Sequence, residues 1–238
     1  MHIPDGYLSP QTYVPLWGIM FPIWAKASKH LQSSLRRRHV PLFALSAAFS
    51  FVIMMFNVPI PGGASGHATG ATIIAILLGP WAAILSVSVA LIIQSLFFGD
   101  GGITAIGANC FNIAVVIPVV SHFLYRWISR GAPLQSSRRV LAGAIAGYAG
   151  LNASALFTAL ELGIQPLIAR SAAGVPLYSP FPLSVAVPAM TISHMALFGL
   201  IEAFVTAFIL RYFQKSDLAM LSLGSVADSV EAAALKTS

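Results

Sequence analysis

Long apolar runs alternate with short polar segments rich in Pro and Gly along the 238 residues of this chain. A helix needs about 20 mainly apolar residues to cross a lipid bilayer, and most of the runs approach this length. The pattern predicts seven transmembrane helices, at residues 9–28, 41–57, 67–79, 81–98, 104–125, 140–164 and 182–212. The predicted fold class is therefore an all-α polytopic membrane protein.

Two of the predicted helices are irregular. The third is short and ends at Gly79-Pro80, which predicts a tight helical hairpin with the fourth and a start below the outer membrane surface. The first contains Pro15 and Pro22 and has a low apolar density. The distribution of charge nevertheless favours an odd number of helices, which requires the first one.

Basic residues fall almost entirely on one side of the predicted bundle. Twelve of the 13 Lys and Arg residues follow the first, fifth or seventh helix, and only Arg170 lies on the other side. Cytoplasmic loops of membrane proteins are enriched in Lys and Arg. We therefore expect the N-terminus outside and the C-terminus in the cytoplasm.

Composition excludes a soluble protein. Hydrophobic residues make up 57% of the chain and charged residues 8%, with a mean hydropathy of +0.83, whereas soluble surfaces need about a quarter charged residues. The net charge of +6 comes from residues that flank apolar runs, so the lipid bilayer is the expected partner and nucleic acid is not. The length fits a single transmembrane domain, residues 1–215, followed by a cytoplasmic low-complexity tail, residues 216–238.

Polar and Gly-rich segments concentrate on the predicted outer side. They are Met1–Ser9, Asn57–Gly66, Gly99–Ala108 and Gln165–Phe181. This placement is expected of a site that captures a substrate from outside the cell. Cys110 is the only cysteine, so a metal site there must use nitrogen or oxygen ligands.

The first two residues can form a metal chelate. A free Met1 amine, the His2 amide nitrogen and the His2 Nδ1 can close two fused rings around one ion, and a fourth nitrogen would complete the square plane that suits Ni(II) or Cu(II). No signal-peptide pattern is present, so we expect Met1 to be retained. The alternative is an exposed, unstructured N-terminus in which His2 has no role.

His67 is the candidate for the fourth donor. It follows a Pro- and Gly-rich loop and is predicted at the start of the third helix, where a capping role is the alternative. Asn109 and Asn112 lie one helical turn apart and face the bundle interior; like Gln94, they either orient ligands or join helices.

Further polar groups have less specific interpretations. Glu161, His194 and Glu202 fall in the last two helices. We expect His194 or an Asn to pair with one of the two carboxylates, and we do not expect these three residues to bind metal directly. Gly99-Asp100-Gly101-Gly102 lacks the context of a phosphate-binding loop. The sequence has no HExxH, GxSxG or Walker motif, so it is predicted to be neither an enzyme nor an ATPase.

Three segments resemble the CbiM/NikM family of substrate-binding membrane subunits of nickel and cobalt energy-coupling-factor (ECF) transporters. They are Met1–Leu8, Phe56–Gly63 leading to His67, and Phe98–Gly102 continuing to Asn109. The resemblance extends over the first 212 residues. It implies a six-helix core with an extra N-terminal helix in a prokaryotic cell (inner) membrane, and Met1, His2 and His67 match the family's metal ligands.

The resemblance also implies a function and partners. Ni(II) is the expected substrate, with Co(II) uptake for cobalamin synthesis as the alternative, and no organic cofactor is expected. The partners would be a transmembrane coupling (T) subunit, two cytoplasmic ATPase subunits and, in some systems, a small additional membrane subunit. That small subunit is not fused to residues 216–238, so we expect it to be separate or absent. A passive metal channel and a membrane metalloenzyme are the competing classes.

Overall fold

The computed structural model describes residues 1–34, 40–60 and 64–223. Its long helices are α1 (Pro10–Ser34), α2 (Val40–Met54), α4 (Pro80–Ile93), α6 (Ile117–Ser129), α7 (Ser137–Gly163), α9 (Leu183–Ser193) and α10 (Gly199–Ser216). Its short helices are α3 (Ala71–Leu78), α5 (Ile106–Asn109) and α8 (Gln165–Ile168). Three π-helical segments, Gln94–Phe98, Cys110–Val116 and His194–Phe198, extend α4, join α5 to α6 and join α9 to α10.

Each of the seven predicted helical stretches contains a helix. Four continuous stretches are long and apolar enough to cross a membrane, namely Pro80–Phe98, Ile106–Ser129, Ser137–Ile168 and Leu183–Ser216, and Val40–Met54 is a shorter apolar helix. Large apolar side chains such as Phe97, Phe204 and Phe208 remain exposed, as expected of surfaces that face lipid. The number of spans and the orientation of the termini stay predictions, as does the division into residues 1–215 and a tail. Residues 224–238 of that tail lie outside the described part.

The all-α prediction misses a small antiparallel β-ribbon. Strand β1 (Val58–Ile60) pairs with β2 (Ala64–Gly66), so that Val58 faces Gly66 and Ile60 faces Ala64. Val58 and Ile60 each precede a proline, and a residue before proline is biased towards extended backbone. Residues 61–63, which belong to the predicted Pro-Gly loop, lie outside the described residues.

The third predicted helix starts later than expected. It begins at Ala71 rather than at residue 67, because Gly70 adopts a left-handed conformation with φ of 67°. An added Cβ at Gly70 would lie 2.4 Å from the Phe49 ring, so the packing there is tight. His67 therefore lies in an irregular segment before the helix and not on it. The predicted hairpin with the next helix is confirmed: Gly79 forms the turn and Pro80 starts α4.

The bundle is closely packed around α7 and the buried α3. Helix α7 contacts α6, α9 and α10. Two of its glycines allow close approach: an added Cβ at Gly143 would lie 2.2 Å from the Leu210 side chain, and one at Gly150 would lie 2.2 Å from Ser121 Oγ. Small residues of this kind let membrane helices approach each other. Helix α1 packs against α4 and α5, with Pro15 and Pro22 on its exposed face.

Candidate metal centre

The N-terminal segment is inserted into the molecule. Met1 and Ile3 are fully buried and His2 is 4% exposed. Asn109 Oδ1 accepts a hydrogen bond from the Ile3 N–H at 2.8 Å, and Asn109 Nδ2 donates one to the Ile3 carbonyl at 3.1 Å. Gly102 N–H donates to the same carbonyl at 2.8 Å. The expectation of an ordered N-terminus thus holds, and the alternative of an exposed one is wrong.

Asp5 anchors this segment from the outer side. Its carboxylate accepts hydrogen bonds from the Ile103 N–H at 3.0 Å, the Thr104 N–H at 2.9 Å and the Thr104 hydroxyl at 2.5 Å. Slight burial alone would raise the pKa of Asp5, but these hydrogen bonds outweigh it and hold the pKa below its usual value. The carboxylate is therefore charged at neutral pH and remains a strong acceptor.

Ser179 and Gln165 hold the chain as it enters α1. The Tyr7 carbonyl accepts from the Ser179 N–H at 3.1 Å. Gln165 Oε1 accepts from the Ser9 N–H at 2.9 Å, while Gln165 Nε2 donates to Thr12 Oγ1 at 2.9 Å. The first nine residues are consequently fixed at both ends against different parts of the fold.

Glycines make room for the inserted segment. An added Cβ at Gly102 would lie 2.4 Å from the Asp5 main-chain nitrogen, closer than any real Cβ contact. Gly101 has φ of 89°, a conformation that side chains rarely adopt, and an added Cβ there would lie 3.3 Å from the His2 ring. The sequence indicated no specific role for the cluster Gly99–Gly102. In the structure, residues 2–5 pack against this cluster.

His67 is positioned from the opposite side by Glu202 of α10. The two Glu202 carboxylate oxygens accept hydrogen bonds from the main-chain N–H groups of Thr69 at 2.7 Å and Gly70 at 3.1 Å, and from the Thr69 hydroxyl at 3.3 Å. These groups lie at the N-terminal end of α3, where free N–H donors need acceptors. Glu202 therefore pairs largely with the main chain that follows His67, and not with the His194 or Asn partner that was expected for a carboxylate; Glu161 is the carboxylate that has an Asn partner, Asn112.

The imidazoles of His2 and His67 stack on each other. Their ring centroids are 4.6 Å apart with an interplanar angle of 26°. His67 Nδ1 lies 3.0 Å from the Ala68 carbonyl, which can only accept, so Nδ1 carries the proton and Nε2 keeps its lone pair. Within the described chain, His67 Nε2 and both ring nitrogens of His2 are buried without a hydrogen-bond partner.

The Met1 amine lies beside these rings. It donates hydrogen bonds to the Ser65 carbonyl and, at 3.3 Å, to Ser65 Oγ. Burial lowers the pKa of the amine from 8.0 to about 4, although Asp100 acts in the opposite sense. Burial and the neighbouring amine lower the pKa of His2 to about 3, and burial lowers that of His67 well below its usual value. All three groups are neutral at pH 7 and keep nitrogen lone pairs.

Asp100 supplies negative charge next to the nitrogen groups. Its Oδ1 lies 3.4 Å from His2 Nδ1 and accepts a hydrogen bond from Asn57 Nδ2 at 2.9 Å. Burial raises the pKa of Asp100, and the bond from Asn57 opposes this. A polar cleft of about 340 Å³ adjoins the site, lined by His2, Pro4, Asn57, Pro59, Ala64, Ser65, Gly99, Asp100 and Gly101. A cation in this cleft would therefore be close to both the Asp100 carboxylate and His2.

Side chains alone do not form a metal site here. Across residues 1–34, 40–60 and 64–223, no three His, Cys, Asp or Glu side chains come together in a way that could hold an ion. What converges is two imidazoles together with the terminal amine and the His2 main chain. A metal centre at this place therefore needs main-chain nitrogen as a ligand.

The remaining candidate residues divide between the two roles predicted for them. Asn109 holds the main chain next to His2, whereas Asn112 joins helices, because its Nδ2 donates to Glu161 Oε2 at 2.7 Å. Gln94 approaches the His2 ring without reaching hydrogen-bond geometry. The sequence interpretation missed Asp5, Ser65 and Gln165, whose partners are 64 to 156 residues away along the chain.

Comparisons with known proteins give a consistent result. Residues 2–220 match the model of the CbiM family, described as a cobalt uptake substrate-specific transmembrane region. The chain is 54% identical over 222 residues to the fused nickel transport protein NikMN of Rhodobacter capsulatus, and 42% identical over 217 residues to the probable fused nickel transport protein LarMN of Lactiplantibacillus plantarum. The matches cover 93% and 90% of this chain but 64% and 65% of these relatives, so the chain spans less than two thirds of their length.

A solved structure also resembles the fold described here. It is a crystal structure of a transition metal transporter, 50% identical in sequence, with a TM-score of 0.87. The match covers 91% of this chain and 94% of that one. The arrangement of helices therefore has a counterpart over almost the whole of both chains.

Proposed function

Because this chain belongs to the CbiM family of substrate-specific transmembrane regions for nickel and cobalt uptake, we propose that it captures Ni(II) from outside the cell and delivers it to an ATP-driven ECF importer. The protein is a multi-pass prokaryotic membrane protein and a transport subunit rather than an enzyme. The metal is its substrate. The proposal concerns which metal is taken up, through which residues, and with which partners.

The convergence of Met1, His2 and His67 carries this proposal. The ligands are the Met1 amine, the His2 amide nitrogen, His2 Nδ1 and His67 Nε2. The first three close two fused chelate rings in one plane, and His67 adds the fourth nitrogen. Burial keeps the amine and imidazoles unprotonated at neutral pH, so protons compete with the metal only at the His2 amide, which loses one proton when the ion binds.

The ligand geometry favours nickel over cobalt. Four nitrogen donors in one plane suit Ni(II), while Co(II) more readily takes geometries with more ligands or a tetrahedral arrangement. The two relatives compared above are named for nickel transport. The charges are also favourable: one deprotonated amide and the nearby Asp100 carboxylate together balance the two positive charges of the ion. Co(II) is the alternative substrate of the same site.

The proposed partners follow from what the chain lacks. Its sequence contains no Walker motif, so ATP hydrolysis would come from two cytoplasmic ATPase subunits, linked to this chain by a transmembrane coupling subunit. A small additional membrane subunit would complete the complex in systems that use one.

Metal binding by the purified, metal-free protein tests the proposal. We expect stoichiometric nickel binding with the absorption of a square-planar amide complex, and its loss in both His2→Ala and His67→Ala. The matched control is His30→Ala, which removes a histidine of α1 that is not among the proposed ligands. Stoichiometric tight binding by both ligand variants would contradict the proposed site, and a cobalt affinity above that for nickel would reverse the proposed preference.

A further inference from the structure

His194 is a buried histidine that the ligand set does not use. It is fully buried and begins the π-helical segment His194–Phe198 between α9 and α10. Its Nδ1 lies 2.8 Å from the Met190 carbonyl and so donates a hydrogen bond to it. Nε2 is therefore unprotonated, and in the described part of the molecule it has no hydrogen-bond partner. A buried lone pair without a partner is unfavourable, and π-helical turns inside longer helices often occur at functional positions.

The imidazole of His194 has the same hydrogen-bonding pattern as that of His67. In both residues Nδ1 donates to a main-chain carbonyl, at 3.0 Å for His67 and 2.8 Å for His194, and in both Nε2 is buried with an unused lone pair. Histidines that bind metals almost always donate their other ring nitrogen to a carbonyl or carboxylate, which fixes the tautomer and the ring orientation. His194 thus has the environment of a metal ligand.

His194 also lies next to the proposed nickel site. One turn further along, the Phe198 ring packs on β2, where an added Cβ at Gly66 would lie 1.9 Å from it, and the His194 and Phe198 rings are 5.3 Å apart. The His194 side chain lies within electrostatic range of both His67 and the Met1 amine. It is not close enough to hold an ion together with His2 and His67 in this conformation.

The position of His194 in its helix places it deep in the bundle. It follows the start of α9 at Leu183 by 11 residues, or roughly 16 Å at 1.5 Å per residue. From His194 the helix continues to Ser216, past Arg211 and Lys215 on the predicted cytoplasmic side. His194 does not line the polar cleft that leads to His2 and Asp100. Phe198 and Glu202, one and two turns nearer the predicted cytoplasmic end, contact Gly66 and the main chain of Thr69 and Gly70, so His194 lies about one turn to the outer side of His67.

We propose that His194 is a further metal-binding residue, whose Nε2 holds the ion together with His67 Nε2 when the ion is not bound to Met1 and His2. This inference rests on the proposed function. His67 remains a ligand in both states, so the ion is never without protein nitrogen. The exchange transfers no electron: the bonds to the amine, the His2 amide and His2 Nδ1 break, a bond to His194 and bonds to water form, and the His2 amide takes back from the solvent the proton that it released when the chelate formed. Two single imidazoles bind more weakly than fused chelate rings, which suits a site that holds the ion only transiently.

Copper binding to a variant without the chelate tests this site directly. In His2→Ala we expect weak residual Cu(II) binding with the pulsed EPR signature of two imidazole nitrogens. Adding His194→Gln should remove one of the two imidazoles and lower the residual affinity by roughly 10- to 100-fold, the usual effect of losing a partner in a metal site. Adding His30→Gln to His2→Ala is the matched control and should change neither quantity.

Transport by the complete complex provides the second test. In vesicles with all subunits, His194→Gln should slow ATP-driven nickel uptake by about 10-fold or more, while the absorption of bound nickel remains that of the four-nitrogen chelate. Gel filtration establishes that each variant is folded. The inference is overturned if the copper affinity and imidazole count of His2→Ala do not change on adding His194→Gln, or if uptake by His194→Gln equals that of His30→Gln. Retention of tight nickel binding by His2→Ala alone would instead overturn the proposed function.

Discussion

Asn109 forms hydrogen bonds with both main-chain groups of Ile3, accepting from its N–H at 2.8 Å and donating to its carbonyl at 3.1 Å. This reciprocal pair joins residues that are 106 positions apart in the chain. It fixes the peptide that links His2 to Ile3, and with it the direction in which the His2 amide and side chain point. Asn109 is therefore a positioning residue for the proposed chelate.

Replacing Asn109 should weaken nickel binding. Asn109→Ala leaves a buried N–H and a buried carbonyl with fewer partners, at a cost of about 1–3 kcal/mol, which corresponds to a roughly 5- to 150-fold rise in the nickel Kd. Calorimetric titration of the purified protein measures this change. Asn152→Ala is the matched control, because Asn152 donates only to the Tyr148 carbonyl of its own helix. Equal affinities of the two variants would contradict the positioning role.

The close approach of Gly102 to the N-terminal segment predicts a large effect of a small change. In Gly102→Ala the new methyl group would overlap the Asp5 main chain at 2.4 Å, and the inserted segment must shift away. We expect the nickel Kd to rise by about 10-fold or more, since core overpacking of this kind typically costs 1–3 kcal/mol. Gly18→Ala in α1 is the control, because an added Cβ there meets nothing within 4 Å; wild-type affinity in both variants would show that the segment tolerates the shift.

The hydrogen bonds of Glu202 to Thr69 and Gly70 lead us to expect that α10 affects nickel binding by positioning His67. In Glu202→Gln the remaining oxygen can still accept from Thr69 and Gly70, which both donate to Oε2, but the NH₂ group replaces Oε1 and faces the Thr72 N–H, so that this hydrogen bond is lost and two donors face each other. We expect a lower melting temperature and a nickel Kd raised by roughly 10-fold. Glu161→Gln alters another buried carboxylate, which contacts Asn112 rather than residues 67–72. It should reduce stability without the same loss of nickel affinity, and a larger loss in Glu161→Gln would argue against this role of α10.

The buried amine predicts that the N-terminus cannot be extended. Met1 is fully buried and its nitrogen contacts Ser65, so an additional residue before Met1 would remove the amine from the site and would not fit. Nickel affinity should fall by about 100-fold or more, because a chelate ring is lost together with a ligand. The same extension followed by a protease site offers the control: cleavage that regenerates Met1 should restore binding. Unchanged affinity of the extended protein would exclude the amine as a ligand.

The sequence by itself determined the helical stretches of the fold. Runs of apolar residues require helices in a bilayer, because main-chain polar groups there must be satisfied within the segment, and each predicted stretch does contain a helix. The sequence also predicted the boundary between the third and fourth helices, because Gly79-Pro80 ends one helix and begins the next. Met1, His2 and His67 were identified from their residue types and from the family resemblance, and their role as ligands stays a prediction.

Only the tertiary structure decided how the proposed site is assembled. The late start of α3 depends on Gly70 packing against Phe49, and the burial of the N-terminus depends on Asp5, Asn109 and Gly102. The free lone pairs of His67 and His194 depend on which carbonyl each Nδ1 reaches. These contacts join residues far apart in the chain, and the periodicity of apolar positions carries information only about neighbours on one helix. Local pattern therefore specifies the helices, while the packing between them specifies the site.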